Sequence, residues 1–139
     1  MLAHLGYQAL ATTSGGFAMS LGRADSEDEV SRDDTLDNVR QIVAATNLLV
    51  SADLENGFGD RPWDCALTIR AGADAGLCGG SIEDYASRVS DRMYGFDETV
   101  ARVRAATAAA RALPHDASWW RGPKGFCAAS TILARCCAG

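Results

Sequence analysis

Leu48-Leu49-Val50-Ser51-Ala52-Asp53-Leu54-Glu55-Asn56-Gly57-Phe58-Gly59-Asp60 is the stretch that decides the fold. An apolar run gives way to two carboxylates two residues apart and then to a Gly-x-Gly turn. In a strand, residues two apart point to the same face. A buried strand that delivers Asp53 and Glu55 together at its C-terminal end is suited to a hard cation, because Mg²⁺ takes oxygen ligands. Gly57 and Gly59 let the backbone turn sharply and approach a ligand closely. Taken alone, the two carboxylates read better as a solvated strand end, and the neighbouring clusters decide for the metal.

The flanking sequence gives this strand a context. Tyr7–Thr13 reads as a first strand, followed by a loop from Ser14 to about Glu29. Leu36, Val39, Ile42 and Val43 recur at helical spacing and predict a helix over Thr35–Thr46. Pro62 suits a helix start, with the helix running to about Ala75 and Gly76 as its C-cap. Leu77–Glu83 is a third, Gly-rich strand, and Val100–Leu113 an Ala- and Arg-rich helix stopped by Pro114, with its Arg residues in solvent.

Strands alternating with helices imply parallel pairing with right-handed crossovers. Three polar clusters each follow a strand: Thr12-Thr13-Ser14-Gly15-Gly16, Asp53-Leu54-Glu55 and Ile82-Glu83-Asp84. Parallel α/β folds bind ligands at the C-terminal ends of their strands. Asp84 reads equally as a helix cap. Three strands cannot close a barrel, so the expected fold is α/β, a partial (β/α)₈ TIM-type barrel with parallel strands.

Composition narrows the partners. The chain has 139 residues, enough for one domain with a core. A net charge of -5 argues against nucleic acid, whose backbone calls for clustered Lys and Arg. No apolar stretch reaches the length of a membrane span, and no secretory signal is recognisable. Five cysteines without metal-type spacing are expected in a reducing cytoplasm, with Cys65 and Cys78 as packing residues. His4 and His115 carry no recognisable partner.

The three clusters, with Ser20-Leu21-Gly22-Arg23-Ala24-Asp25 and Gly79-Gly80-Ser81-Ile82-Glu83-Asp84, resemble the isocitrate lyase/phosphoenolpyruvate mutase superfamily over roughly Leu2–Asp116. The resemblance implies an oligomeric, Mg²⁺-dependent barrel that makes or breaks a C–C or P–C bond of a small 2-oxo acid through its enolate. It implies Asp53 as the direct metal ligand, with Asp25, Glu55 and Glu83 holding metal-bound waters. Ser14, Gly15 and Gly16 would meet the substrate's carboxylate or carbonyl. Isocitrate and methylisocitrate lyases carry a Lys-Cys-Gly-His type loop after the third cluster. Tyr85–Asp97 has no Cys, Lys or His, which disfavours those two activities.

The family's barrel has a further strand before Met1 and several more after Asp116. One of these ends in an Ala-Arg-x-Glu type motif, which residues 117–139 do not match. All 18 acidic residues lie between Asp25 and Asp116, whereas Trp119, Trp120, Cys127, Cys136 and Cys137 crowd the tail. Back-translated with GC-rich codons and shifted in frame, Ala117 onward can encode Leu-Met-Val-Ala-Arg-Ala-Glu-Gly. Residues 1–116 are therefore expected to be the partial barrel and 117–139 an atypical, frameshifted tail. The alternative expectation is a catalytically inactive fragment or binding unit of the same fold.

Overall fold

The structure, a computed structural model, describes residues 1–24, 29–86 and 92–113. After a short 3₁₀ turn over Leu2–Leu5 come β1 (Ala9–Ala11), α1 (Ser14–Ser20), α2 (Arg32–Ala44), β2 (Leu49–Asp53), α3 (Pro62–Asp74) and β3 (Gly79–Ser81). A two-residue pair follows, β4 (Tyr85–Ala86) and β5 (Arg92–Met93), and then α4 (Phe96–Arg111). β1, β2 and β3 form one parallel sheet in that order, with Leu10 opposite Val50 and Ala52 opposite Gly80. β4 and β5 are antiparallel, Tyr85 opposite Met93. The sheet and its covering helices match the expected partial barrel.

β2 is the middle strand, and its alternation explains the layering. Val50, Ala52 and Leu54 are buried, whereas Ser51 and Asp53 on the other face are half-buried. The buried side belongs to one apolar cluster with Leu36 and Val39 of α2, Cys65, Ala66 and Ile69 of α3, and Ala106, Ala109 and Ala110 of α4. The alanines let α4 lie close on α3 (the small side chains leave room for the backbones to approach).

Two helix ends follow their local chemistry. Ser31 caps α2: its hydroxyl accepts the Asp34 N–H at 3.1 Å, and the Asp34 carboxylate accepts the Ser31 N–H at 3.3 Å. Hydrogen bonding of the Asp34 carboxylate to the Ser31 side chain and backbone, and then to Arg23, lowers the Asp34 pKa. α3 ends with Gly76 at φ +96°, where the Gly76 N–H reaches Ala73 O and the Leu77 N–H reaches Gly72 O. That pair of bonds is the left-handed closure a glycine permits, and Leu77 buries its side chain beside it.

Several expectations change. Ser14–Ser20 is a helix and not a loop: the Phe17 N–H donates to Thr13 O, and Ala18 is buried. Tertiary contact there overrides the poor helix propensity of Gly15 and Gly16. β1 and β3 are shorter than expected at both ends, and α2 and α4 begin three and four residues early. Arg102, expected in solvent, is 1% exposed, whereas Arg104 and Arg111 are exposed. Residues 114–139 lie outside the described residues, and so does every expectation about them.

Candidate metal and substrate site

The parallel ladder carries the three clusters to one edge of the sheet. Beyond the strand ends, the Thr12 N–H donates to Ser51 O, the Leu54 N–H to Ser81 O and the Glu83 N–H to Glu55 O at 2.7 Å. Thr12–Ser14, Asp53–Glu55 and Ser81–Glu83 therefore lie side by side at the C-terminal ends of β1, β2 and β3. The Asp53 N–H also donates to Thr12 Oγ1 at 3.3 Å.

Asp53 is the hub. Its Oδ2 accepts the Ser14 hydroxyl at 2.9 Å and the Ser14 N–H at 3.2 Å, and its Oδ1 accepts the Glu55 N–H at 3.1 Å. A carboxylate has about four lone-pair directions, and these three donors leave one on Oδ1 for a further partner. Ser14 and Asp53, expected to serve substrate and metal respectively, are thus directly bonded. Gly15 is buried and Gly16 exposed in the first turn of α1.

Glu55 follows in an unusual backbone conformation. It has φ +47° and is 5% exposed; Phe58 has φ +57°, with Gly57 at +82° between them. Left-handed backbone at two non-glycine residues of one turn is costly and concentrates at functional sites. The turn is held by the Gly57 N–H to Leu54 O at 2.8 Å, by the Thr68 hydroxyl to Gly57 O at 2.8 Å, and by the Phe58 N–H to Asn56 Oδ1 at 2.9 Å. Glu83 is half-buried beside it.

This donor set consists of hard oxygens and fits Mg²⁺, which keeps several waters and needs few direct protein ligands. Among the described residues no three His, Cys, Asp or Glu side chains are grouped so that they could hold a metal ion together. One direct carboxylate with neighbours reaching through water meets that description, whereas a zinc-type cage does not. Asp25, the fourth expected metal-side residue, lies outside the described residues. Asp84 caps no described helix; it sits at the bend before β4, where its carbonyl accepts the Tyr94 N–H at 2.8 Å.

A second polar group escaped sequence reasoning. The Tyr94 hydroxyl donates to Asp60 at 2.6 Å and accepts from Asn56 Nδ2 at 3.2 Å, and the Tyr94 ring lies under the Arg102 guanidinium, 3.9 Å from carbon to centroid. Burial, followed by the bond to Asp60, pushes the Tyr94 phenol up to about 12. Burial likewise raises the Cys65 thiol, as suits a packing residue.

Because the folded phenol holds its proton more tightly than the unfolded one, its stabilisation is complete below pH 10 and lost as pH rises towards 12. The loss is expected to stay below about 2.7 kcal/mol, the ceiling for a shift from 10 to about 12 at about 1.36 kcal/mol per pKa unit. Urea unfolding at both ends of that window should show the loss in the wild type and not in Tyr94→Phe. An equal loss in both would remove Tyr94 as its source.

With this geometry in place, likeness to known proteins is informative. The phosphoenolpyruvate phosphomutase family matches residues 1–117. The chain belongs to that family. Within this lyase/mutase family it is similar to 2-methylisocitrate lyase of Escherichia coli (strain K12), 33% identical over 108 residues covering 73% of this chain and 36% of that protein. It is also similar to a Burkholderia cenocepacia J2315 crystal structure described only as that of a lyase/mutase. That match has 53% identity and a TM-score of 0.76, and covers 81% of this chain and 40% of the other. Oxaloacetate acetylhydrolase in complex with its product oxalate is 28% identical with a TM-score of 0.67, covering 76% and 37%. The chain spans about a third of the length of the curated relatives it matches. Among the described residues, no helix is long and apolar enough to cross a membrane.

Proposed function

We propose that this chain carries the metal-binding edge of a Mg²⁺-dependent lyase-type enzyme acting on a small 2-oxo acid of the oxaloacetate kind. The observation that carries the reading is the convergence of Ser14, Asp53, Glu55 and Glu83 on one strand edge, with Asp53 bonded by Ser14 and by the Glu55 amide. Asp53 is the direct ligand, and Glu55, Glu83 and Asp25 orient waters around the ion. Ser14, Gly15 and Gly16 seat the substrate's carboxylate or carbonyl. The Ser14 hydroxyl is engaged with Asp53 here and would be available to the substrate if a bound ion took its place on Asp53. Bound at this edge, Mg²⁺ supplies a positive charge opposite the oxygen on which enolate charge develops.

Likeness to 2-methylisocitrate lyase supports carbon–carbon lyase chemistry in general. The absence of Cys, Lys and His from Tyr85–Asp97 favours a different substrate. The working protein is cytoplasmic and homo-oligomeric in this reading. The test is turnover of oxaloacetate and related 2-oxo acids by the full chain with Mg²⁺ and with chelator. Chelator-sensitive turnover supports the reading; a chain that binds neither Mg²⁺ nor oxalate sinks it.

A second reading is a non-catalytic fragment or binding unit of the same fold, which predicts oxalate and Mg²⁺ binding without turnover. The family match ending at residue 117 supports a change of reading frame there. Resequencing the source DNA across codons 109–139 tests it, and an unshifted frame with no barrel-coding sequence in the alternative frame rejects it.

A further inference from the structure

Arg102 is the charged residue that neither the proposed chemistry nor the core explains. It sits on the buried face of α4 among Ala106, Ala109 and Ala110, and is itself 1% exposed. Among the described residues, no carboxylate lies within ion-pair distance of it. Its partners belong to one short segment instead. Nη1 donates to Gly59 O at 2.8 Å, Nη2 donates to Asn56 O, and the guanidinium plane covers the Tyr94 ring. Tyr94 continues the chain of contacts back to the same segment through Asn56 and Asp60.

Burying a guanidinium without a carboxylate is expensive, and an apolar side chain of similar volume fills such a space at lower cost. What an apolar side chain cannot do is hold two backbone carbonyls three residues apart. Those carbonyls bracket Gly57 and Phe58, both with left-handed backbone, and the bracket begins directly after Glu55, which is left-handed too. The other side of the turn is tied to the segment after β3 by the Glu83 N–H to Glu55 O bond. Arg102 thus holds the turn from Asn56 to Gly59, and Glu83, two residues beyond β3, holds Glu55 at the turn's N-terminal end.

We infer that Arg102 is a positioning residue for the metal site: it holds the Asn56–Gly59 turn in the left-handed conformation that presents Glu55 beside Asp53. The role rests on the metal reading proposed above, and Arg102 acts through Asn56 and Gly59 and not on the ion. Partners that orient metal-side carboxylates typically contribute about 10- to 100-fold to metal affinity.

The test compares the full wild-type chain with Arg102→Met and with Ala106→Gly, which loosens the same helix face without touching the turn. Mn²⁺ alone serves as the probe, its affinity read by electron spin resonance, and amide exchange is followed separately for residues 54–60 and for α3. Arg102→Met is expected to bind Mn²⁺ at least about tenfold more weakly and to exchange faster over 54–60 than over α3. Ala106→Gly is expected to keep wild-type affinity. Equal Mn²⁺ affinity in wild type and Arg102→Met, unchanged exchange over 54–60, or an equal loss of affinity in Ala106→Gly would each overturn the assignment. A wild-type chain that binds no Mn²⁺ would overturn the metal reading itself, an outcome distinct from the other three.

Discussion

Asp53→Asn is expected to weaken Mn²⁺ or Mg²⁺ binding by at least about 100-fold, beyond the range for losing a supporting partner, and to abolish any chelator-sensitive turnover. Two effects act together. The substitution removes the negative charge of the carboxylate proposed above as the direct ligand. It also puts an amide NH₂ against either the Glu55 N–H or the Ser14 N–H and hydroxyl, all of which donate to Asp53. The Ser14 hydroxyl can rotate away, but the backbone N–H groups cannot. An amide facing them leaves a part-buried donor unsatisfied, a cost of about 1–3 kcal/mol. Mn²⁺ titration of wild type and variant, with circular dichroism to confirm equal folding, checks this. Equal affinity would show that the ion, if bound, sits elsewhere.

The site's outline was legible in the sequence because β2 changes character within a few residues. Val50, Ala52 and Leu54 satisfy a buried face while Ser51 and Asp53 do not, so the strand and its functional end are encoded together. Gly76 was legible for a similar reason: a helical apolar pattern ending in glycine has one economical closure, and Leu77 completes it. α1 was not legible, since Ser14-Gly15-Gly16 is a poor helix start and its first residue is held by Asp53, 39 residues away in the chain. Phe96 opens α4 fully in solvent, 82% exposed, so no apolar periodicity marked that start. Arg102 was misread because an Arg on an Ala-rich helix is ordinarily solvated. Its burial is decided by the carbonyls of Asn56 and Gly59, whose orientation depends on left-handed residues no local pattern announces. Sequence patterns report which face of an element is apolar, but not which turn will dock on it.

Gly57→Ala is expected to destabilise the fold by about 2–5 kcal/mol and to weaken metal binding at the same time. An alanine at φ +82° costs about 1–2 kcal/mol over glycine in the left-handed region. The added methyl would lie 3.1 Å from Cys65 Sγ and 3.2 Å from Cys65 Cα, inside the closely packed junction of the turn with α3; overpacking of that kind typically costs about 1–3 kcal/mol. Truncating the Cys65 side chain relieves the clash with sulfur, but the close approach to the α3 backbone persists. Cys65→Ala added to Gly57→Ala should therefore restore only part of the lost stability, although Cys65→Ala alone opens a small cavity. The turn relieves the remaining strain by moving away from α3, and Glu55, two residues before Gly57, moves with it. Urea midpoints for the single and double variants, read alongside their Mn²⁺ affinities, separate the two effects. Full recovery of stability in the double variant would place the whole cost on the clash with sulfur and none on the left-handed backbone.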